Sequence, residues 1–527
     1  QVNEKEVQEI ETVFEAKYKG FLATEQSIVD AATNLRVFGS CYLSHNRFDA
    51  NKDAVTALKN NAKGKVHVGA NNTCAALQER LFPWMLQTYP VFTRWSGETT
   101  SEKANRNPAD CYILDLLQGF NGKGIVITAG DAHKEDVVNL IRVLRGLDNK
   151  LPIQIFHRKD LSQKSQQELK AGVGRSVYDF AFPLQELWFA DVSAVVKPEY
   201  EKFFSRFANK FFSYLFGSFD ETLLMDTDAV PLIKPADFFK TSGYVASETL
   251  FFKDREVRQS SARDGRVLFR KMMPRVFDNL LFGIPVTTNF TLHNEYISEE
   301  AHKMHLMESG IVAYRKTAHF TGVLMAANLN FWWQVKARVW GDKEMFWLGM
   351  SIAGDENYRF NDNYAGAVGI LTPEAFHPAV AHEICSIQPG HISSDDDQTL
   401  MWINSGFKFC KKPGSFERSK GSEKLLMYSG ARSYDDRTGF NDHSIKAMYY
   451  DSISIQAAII PPASQLLRHK TNRREPPLGW FMDKSCSGYL WCAYDSIGAS
   501  TLPEHQGKLI EFSVVDEIRF KFLGDLW

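Results

Sequence analysis

The stretch GKGIVITAGDAHKEDVVNLIRVLRGLDNKLPIQIFHR constrains this chain more than any other. Gly124 to Thr128 is a short β-branched run that ends at Gly130, and LPIQIF is a second continuous apolar run. Between them Val137, Leu140, Ile141 and Leu144 recur at the spacing of a helix that buries one face. A strand without polar alternation is covered on both sides, so the pattern predicts a strand-helix-strand unit with parallel strands. Parallel strands need helical crossovers and helices on their faces, which commits this part of the chain to an α/β fold. The first strand-to-helix turn, TAGDAHKED, can offer backbone N–H groups around Gly130 and an acidic side chain to a nucleotide. It lacks the G-x-G-x-x-G fingerprint, so an ordinary surface turn fits the same letters.

At about 150 residues per domain, 527 residues imply two to four units. Residues 1–110 read as a helical, charged stem or cap, with VQEIETVFEAKY and TCAALQERLFPWMLQTY as its amphipathic segments. Residues 111–410 alternate strands and helices. PEYEKFFSRFANKFFSYLFGSF, LFRKMMPRVFDNLLFG and TGVLMAANLNFWWQVKARVWG are helical candidates; YVASETLFF and GIVAYRK are strand candidates. From residue 411, KKPGSFERSKGSEK reads as an exposed loop. It opens a mixed α/β extension, 411–527, with strand-like SISIQAAII, SGYLWCAY and LIEFSVV.

The charge balance, 61 basic against 63 acidic residues, provides no global field for nucleic acid or an anionic membrane, and no nucleic-acid partner is expected. Seven cysteines lack the paired CxxC spacing of a structural zinc site; they suit buried thiols or a few disulfides, and the odd count leaves at least one unpaired. The sequons Asn71-Asn72-Thr73 and Asn289-Phe290-Thr291 fit a secretory-route protein. No apolar run approaches the roughly 18 residues of a membrane span. The first residue is Gln1, and the expectation is that an N-terminal segment carrying an anchor has been removed.

The stretch with the most chemistry is Leu223 to Leu232, LLMDTDAVPL. Hydrophobic strand followed by D-x-D-x-[TV] matches a phosphotransferase pattern in which Asp226 is the nucleophile and Asp228 the acid/base. That nucleophile normally follows a domain's first strand, whereas here a complete strand-helix-strand unit comes before it. The other reading places a divalent cation between the two carboxylates and a nucleotide-sugar diphosphate, outside the carboxyl ends of the strands. Residues i and i+2 of a strand point the same way, so Asp226 and Asp228 can share one ion.

SFDETLLMDTDAVPL, SETLFFKDR, HLMESGIVAYRK and WGDKEMFWLGM, in that order, resemble the fungal Golgi alpha-1,3-mannosyltransferase family of retaining GT-A glycosyltransferases. The resemblance spans roughly Gly124 to His391. It implies a GT-A-like, Rossmann-type nucleotide-sugar-binding domain, GDP-mannose as donor and Mn²⁺ as metal. Acceptors would be mannose-terminated N- or O-linked glycans of glycoproteins, in the Golgi lumen, met by a type II membrane protein. It further implies that Asp226 and Asp228 hold the metal, Asp228 more directly, with His391 as third ligand and His382 in reserve. Glu308, Ser309 and Gly310 would line the sugar pocket. Asp342 would face the reacting mannose or the acceptor hydroxyl. Lys210 matches a recurrent family lysine, and Lys253, Asp254 and Arg255 would touch the donor or form a strand-end ion pair. The aromatic run Phe331, Trp332, Trp333 reads as core. Either the leaving phosphate takes the acceptor proton or a carboxylate such as Asp342 forms a covalent intermediate. An alpha-1,2-transferase of the same broader family, the phosphotransferase and a non-catalytic mannan-binding subunit are the alternatives.

Overall fold

A computed structural model describes residues 25–43, 74–100, 111–172, 182–204, 208–256, 263–298, 305–372, 381–412, 451–462, 478–483, 485–498 and 500–527. Asn71 and the whole VQEIETVFEAKY segment, residues 7–18, lie outside the described residues. The strands, in chain order, are β1 Val91–Arg94, β2 Thr99–Thr100, β3 Lys123–Thr128, β4 Ile153–His157, β5 Leu187–Asp191, β6 Glu221–Met225, β7 Val230–Pro231, β8 Thr249–Lys253 and β9 Met307–Arg315. They continue with β10 Phe360–Tyr364, β11 Gly366–Gly369, β12 Glu383–Ser386, β13 Pro389–Ile392, β14 Leu400–Ile403, β15 Ala457–Ile460, β16 Trp480–Asp483, β17 Leu490–Tyr494 and β18 Lys508–Glu511.

The expected unit is present as β3, the helix Lys134–Gly146 and β4, with Ile125 paired to Ile153 in parallel register. It sits inside a nine-stranded sheet of order β10-β8-β9-β6-β3-β4-β5-β1-β2. The run β6-β3-β4-β5 is parallel, while β9 is antiparallel to both β6 and β8. Both faces are covered, as the uninterrupted apolar runs require. Val126 and Leu224 join a cluster on one side; Ile125, Ile127, Leu223 and Met225 join another on the opposite side. The α/β class is what the sequence predicts.

Several segments differ in detail. PEYEKFFSRFANKFFSYLFGSF is a 3₁₀ turn, Pro198–Phe203, and a separate helix, Ala208–Phe216. LFRKMMPRVFDNLLFG contains two helices, Arg263–Met272 and Val276–Phe282, because Pro274 has no N–H to continue the ladder. In YVASETLFF the first residues belong to the helix Ser242–Ser247, capped by the Thr241 hydroxyl, and only TLFFK is strand. Phe331 and Trp332 pack against the core, the former against Phe203 and Phe204.

The divisions expected at 110 and 410 coincide with no break in either large sheet. Upstream of 110, β1 and β2 extend the nine-stranded sheet, and β1 pairs with β5. The helix Glu25–Phe38 is packed into the core as well. Its buried Arg36 donates to the carbonyls of Met272 (2.6 Å) and Ile352 (2.8 Å) and lies 3.5 Å from Asp278. Downstream of 410, β15 and β18 complete a six-stranded sheet, β18-β15-β11-β13-β14-β7. A small sheet, β12-β17-β16, also joins residues from both sides of that position. Disulfides link Cys74 to Cys111, Cys385 to Cys492 and Cys410 to Cys486, and Cys41 belongs to none of these three bridges. Such bridges belong to an oxidising compartment. Lys408 and Ser452 form an isolated antiparallel bridge. No helix of the described residues is long and apolar enough to cross a membrane.

Under the sheet, the helices Lys316–Leu329 and Met345–Ala353 meet at glycine. A Cβ added to Gly349 would stand 2.7 Å from both the backbone N and the Cβ of Ala326. At an open helical site Gly→Ala gains about 0.5–1 kcal/mol. Here the collision with backbone outweighs that gain, and overpacking costs roughly 1–3 kcal/mol. Gly349→Ala is therefore expected to lower Tm by several degrees, read by differential scanning calorimetry; an unchanged or raised Tm would mean the helices are not in this contact.

Candidate active site

The reversal of β9 gathers charge at one edge of the sheet. Because β9 runs against β6, its first residues lie beside the carboxyl end of β6, where Asp226 follows Met225. Because β8 also runs against β9, Phe252 and Lys253 pair with Glu308 and Met307, which places Asp254 at the same edge. Glu308, Ser309 and Gly310 thus lie within a strand, and the Asp226 N–H extends the ladder by donating to the Gly310 carbonyl at 2.8 Å. A Cβ on Gly310 would reach within 2.7 Å of the Trp402 ring, so only glycine lets β9 and Trp402 approach this closely.

Lys210, on the helix Ala208–Phe216, reaches this edge with its side chain almost entirely buried. Its ammonium lies 2.8 Å from Asp226, 2.8 Å from Asp342 and 2.7 Å from the Ser309 carbonyl. Burial disfavours the charge, but the two carboxylates more than offset it and hold the lysine above its usual range. The Ser309 hydroxyl donates to Asp342 at 3.2 Å. Asp226 is only partly enclosed. Its desolvation, with Asp342 and Asp228 pushing the same way against Lys210, raises its carboxyl to about 7.

A second cluster lies alongside. Lys343 bridges Asp254 (2.7 Å) and Glu308 (2.8 Å), and Glu308 also accepts from Asn404 at 3.1 Å and the Gly310 N–H at 3.3 Å. Burial opposes ionisation of Asp254, yet Lys343 and Arg255 hold it well below the usual carboxylate range. Asp228 pairs with Lys411, and its carbonyl accepts from the Gly406 N–H at 2.9 Å. Lys343, Asn404 and Lys411 were not singled out by the sequence. Lys343 stands in the GDKE segment already quoted, whereas Lys411 opens a Lys- and Gly-rich stretch that reads as a linker.

Other predicted residues are placed elsewhere or differently. His391 is fully buried in β13, stacked on Trp402 with centroids 4.0 Å apart, and both ring nitrogens lack a hydrogen-bond partner. Burial lowers its pKa to about 3, and the charges that act on it are Asp254, Lys343 and Arg255. The structure does not bring it to the Asp226–Asp228 pair: among the described residues, the only three metal-type ligand atoms within 4.8 Å of one another are those of Glu383, Cys385 and Cys492, and both thiols are in a disulfide. His382 pairs with Asp495 at 2.6 Å on the small sheet. Gly130 ends β3 beside Asp160, and Asp131 accepts from the Ser162 N–H at 2.8 Å. Lys253 donates to the Asp362 carbonyl at 3.0 Å, and the Arg255 guanidinium lies over Trp491 at 5.2 Å.

A divalent cation fits Asp226 and Asp228 by chemistry: both are hard carboxylate donors, and both are partly open to solvent. Two protein carboxylates with substrate oxygens and water are the shell a small hard ion takes.

Residues 122–393, more than half of the chain, match the profile of the family described as "Mannosyltransferase putative". The chain belongs to this mannosyltransferase family. It is 33% identical to "Putative alpha-1,3-mannosyltransferase MNN12" of Candida albicans over 98% of this chain and 72% of that one. It is 28% identical to "Alpha-1,3-mannosyltransferase MNT2" of Saccharomyces cerevisiae over 79% of this chain and 70% of that one. The Mn/GDP form of core-mannan synthase A from Aspergillus fumigatus aligns over 52% of this chain and 86% of that one at 10% identity; its TM-score of 0.29 is too low to carry an inference. The mannosyltransferase is therefore a glycosyltransferase, and the phosphotransferase and binding-subunit alternatives fall away.

Two outcomes test the site of the mannosyltransferase. Lys210→Ala leaves Asp226 and Asp342 facing each other without a counter-charge; losing one partner of a buried pair costs about 3–5 kcal/mol, and a fall in Tm with loss of transfer is expected. Glu344, fully buried, accepts from the Leu306 N–H (2.8 Å), the Met307 N–H (3.2 Å) and the Trp347 indole (2.6 Å). Burial outweighs these donors and raises its pKa to about 7 from 4.5. The folded state then binds a proton that the unfolded state has released, so this group's stability contribution, full below about pH 4.5, is lost as pH rises through about 7. Tm of Glu344→Gln minus Tm of wild type should accordingly increase between pH 5 and pH 8; a flat or falling difference would contradict the burial effect.

Proposed function

We propose that the protein transfers mannose, with retention, from GDP-mannose to the 3-hydroxyl of terminal mannose on N- or O-linked glycans of glycoproteins. The observation that carries this is the convergence of Asp226, Asp342, Ser309 and Lys210 on one sheet edge, beside Asp228 and Lys411. The five carboxylates Asp226, Asp228, Asp254, Glu308 and Asp342 face Lys210, Lys343, Lys411 and Arg255, so the edge keeps a net negative charge that a bound cation would offset. Asp226 and Asp228 would hold Mn²⁺, which when bound supplies positive charge to the departing diphosphate.

The residues of the chain do the rest. Lys210 keeps Asp342 fixed and its negative charge available, and the Ser309 hydroxyl orients it further. Asp342 faces the sugar carbon whose charge develops as the donor bond breaks, where a fixed anion stabilises an oxocarbenium-like state. The packed wall of Gly310 and Trp402 excludes water from one side of this point. The chain's disulfides and the exposed sequon at Asn289 suit the lumen of the Golgi.

The purified protein should transfer mannose from GDP-mannose to a short α-mannoside only with Mn²⁺, and a chelator should abolish transfer. Asp228→Ala should lower kcat/KM by about 100-fold or more. Linkage analysis of the product should give a 1,3 bond with the α configuration. Undiminished transfer by Asp228→Ala would remove the metal role, and a 1,2 product would move the protein to the alpha-1,2 branch.

A further inference from the structure

The described residues beyond 410 reach the active site by two routes that end in and just before β17. On the first, Asp228 pairs with Lys411, and the next residue, Lys412, places its ammonium 4.8 Å from the Tyr489 ring. The Cys410–Cys486 disulfide fastens the two segments beside this contact. On the second, Glu308 and Asp254 share Lys343, and Arg255, next in the chain, lies 5.2 Å from the Trp491 ring. Tyr489 stands in the turn immediately before β17, and Trp491 is the second residue of that strand, so the two cation contacts fall two positions apart along the chain.

The backbone ahead of Tyr489 is unusual. Cys486, Ser487 and Gly488 take successive left-handed conformations, with φ of 51°, 63° and 82°. Two of these are not glycine, and each carries a cost of about 1–3 kcal/mol that persists only where surrounding structure imposes it. The turn lifts Tyr489 out of the small sheet, where it is 42% exposed. An exposed aromatic held by a cation on one side and by a tethered turn beneath it is a rigid, preorganised surface.

We infer that Tyr489 and Trp491 form the platform on which the mannose residues of the acceptor glycan lie. This rests on the transferase reading above. A sugar ring has an apolar C–H face and a rim of hydroxyls, the counterpart of an amphipathic aromatic with polar groups around it. The sheet order separates this platform from the donor's nucleotide. Asp254 and Arg255 follow β8, on one side of β6, while the β3 turn at Gly130 lies on the other side. A saccharide on the rings has its reactive end toward the carboxylate edge and its remaining residues running out along the small sheet.

The test uses the whole protein with Mn²⁺, GDP-mannose and α-mannobiose. Tyr489→Ala and Trp491→Ala should each raise KM for mannobiose tenfold or more while KM for GDP-mannose stays within twofold, and Tyr489→Phe should restore the wild-type value. Trp491 is half-buried and its loss can disturb the sheet, so Tyr489→Ala with an unchanged Tm decides. A mannobiose KM within twofold of wild type in that variant overturns the platform, as does a rise that falls on GDP-mannose instead. A wild-type protein that moves no mannose refutes the transferase reading, a separate failure. Saturation-transfer NMR with mannobiose then reads the platform directly: transfer in wild type that Tyr489→Ala loses supports it, and no transfer in wild type overturns it.

Discussion

A single ammonium group organises the site. Lys210 joins a helix, the end of β6, the backbone of β9 and the loop that carries Asp342, and it does so from a buried position. Burying a charge costs several kcal/mol unless it is paired and hydrogen-bonded. Here two carboxylates and a carbonyl meet that requirement together, so none of the four elements can shift without exposing an unpaired charge. Lys343 repeats the arrangement one strand over, between Asp254 and Glu308. This edge is thus a row of alternating charges fixed in place by the antiparallel strand β9, whose direction brings its first residues to the end of β6 and beside β8.

The parts that were legible in the sequence are those whose physics is local. A strand covered on both faces has no polar alternation, so β3 and β4 could be read from their letters, and Asp226 and Asp228 announced themselves by following such a strand. Glu308, Ser309 and Asp342 were legible as motif residues, but their meeting was not, because Lys210 and Ser309 are 99 positions apart. Lys411 lies 183 positions from Asp228 and sits in a context that reads as linker. His391 shows the same limit from another side: its stacking on Trp402 is a contact that no spacing encodes. Sheet strands lie on both sides of positions 110 and 410, because hydrophobic pattern shows where a strand is, not which sheet it joins.

The six-stranded sheet makes the late strands β15 and β18 neighbours of β11 and, through it, of the strand bearing His391. With the disulfides of Cys385 and Cys410, this ties the described residues after 412 to the sheets that carry the site. The family match, residues 122–393, ends before them.

The Cys385–Cys492 disulfide carries a consequence for the chain away from its folded state. The two cysteines are 107 positions apart, and closing so long a segment removes about 4–5 kcal/mol of conformational freedom from the unfolded chain. The covalent tie thus acts on the unfolded protein, where it keeps the segments of β12 and β17 within reach of each other before the small sheet has formed. Strands far apart in sequence then need not search for each other each time the protein opens.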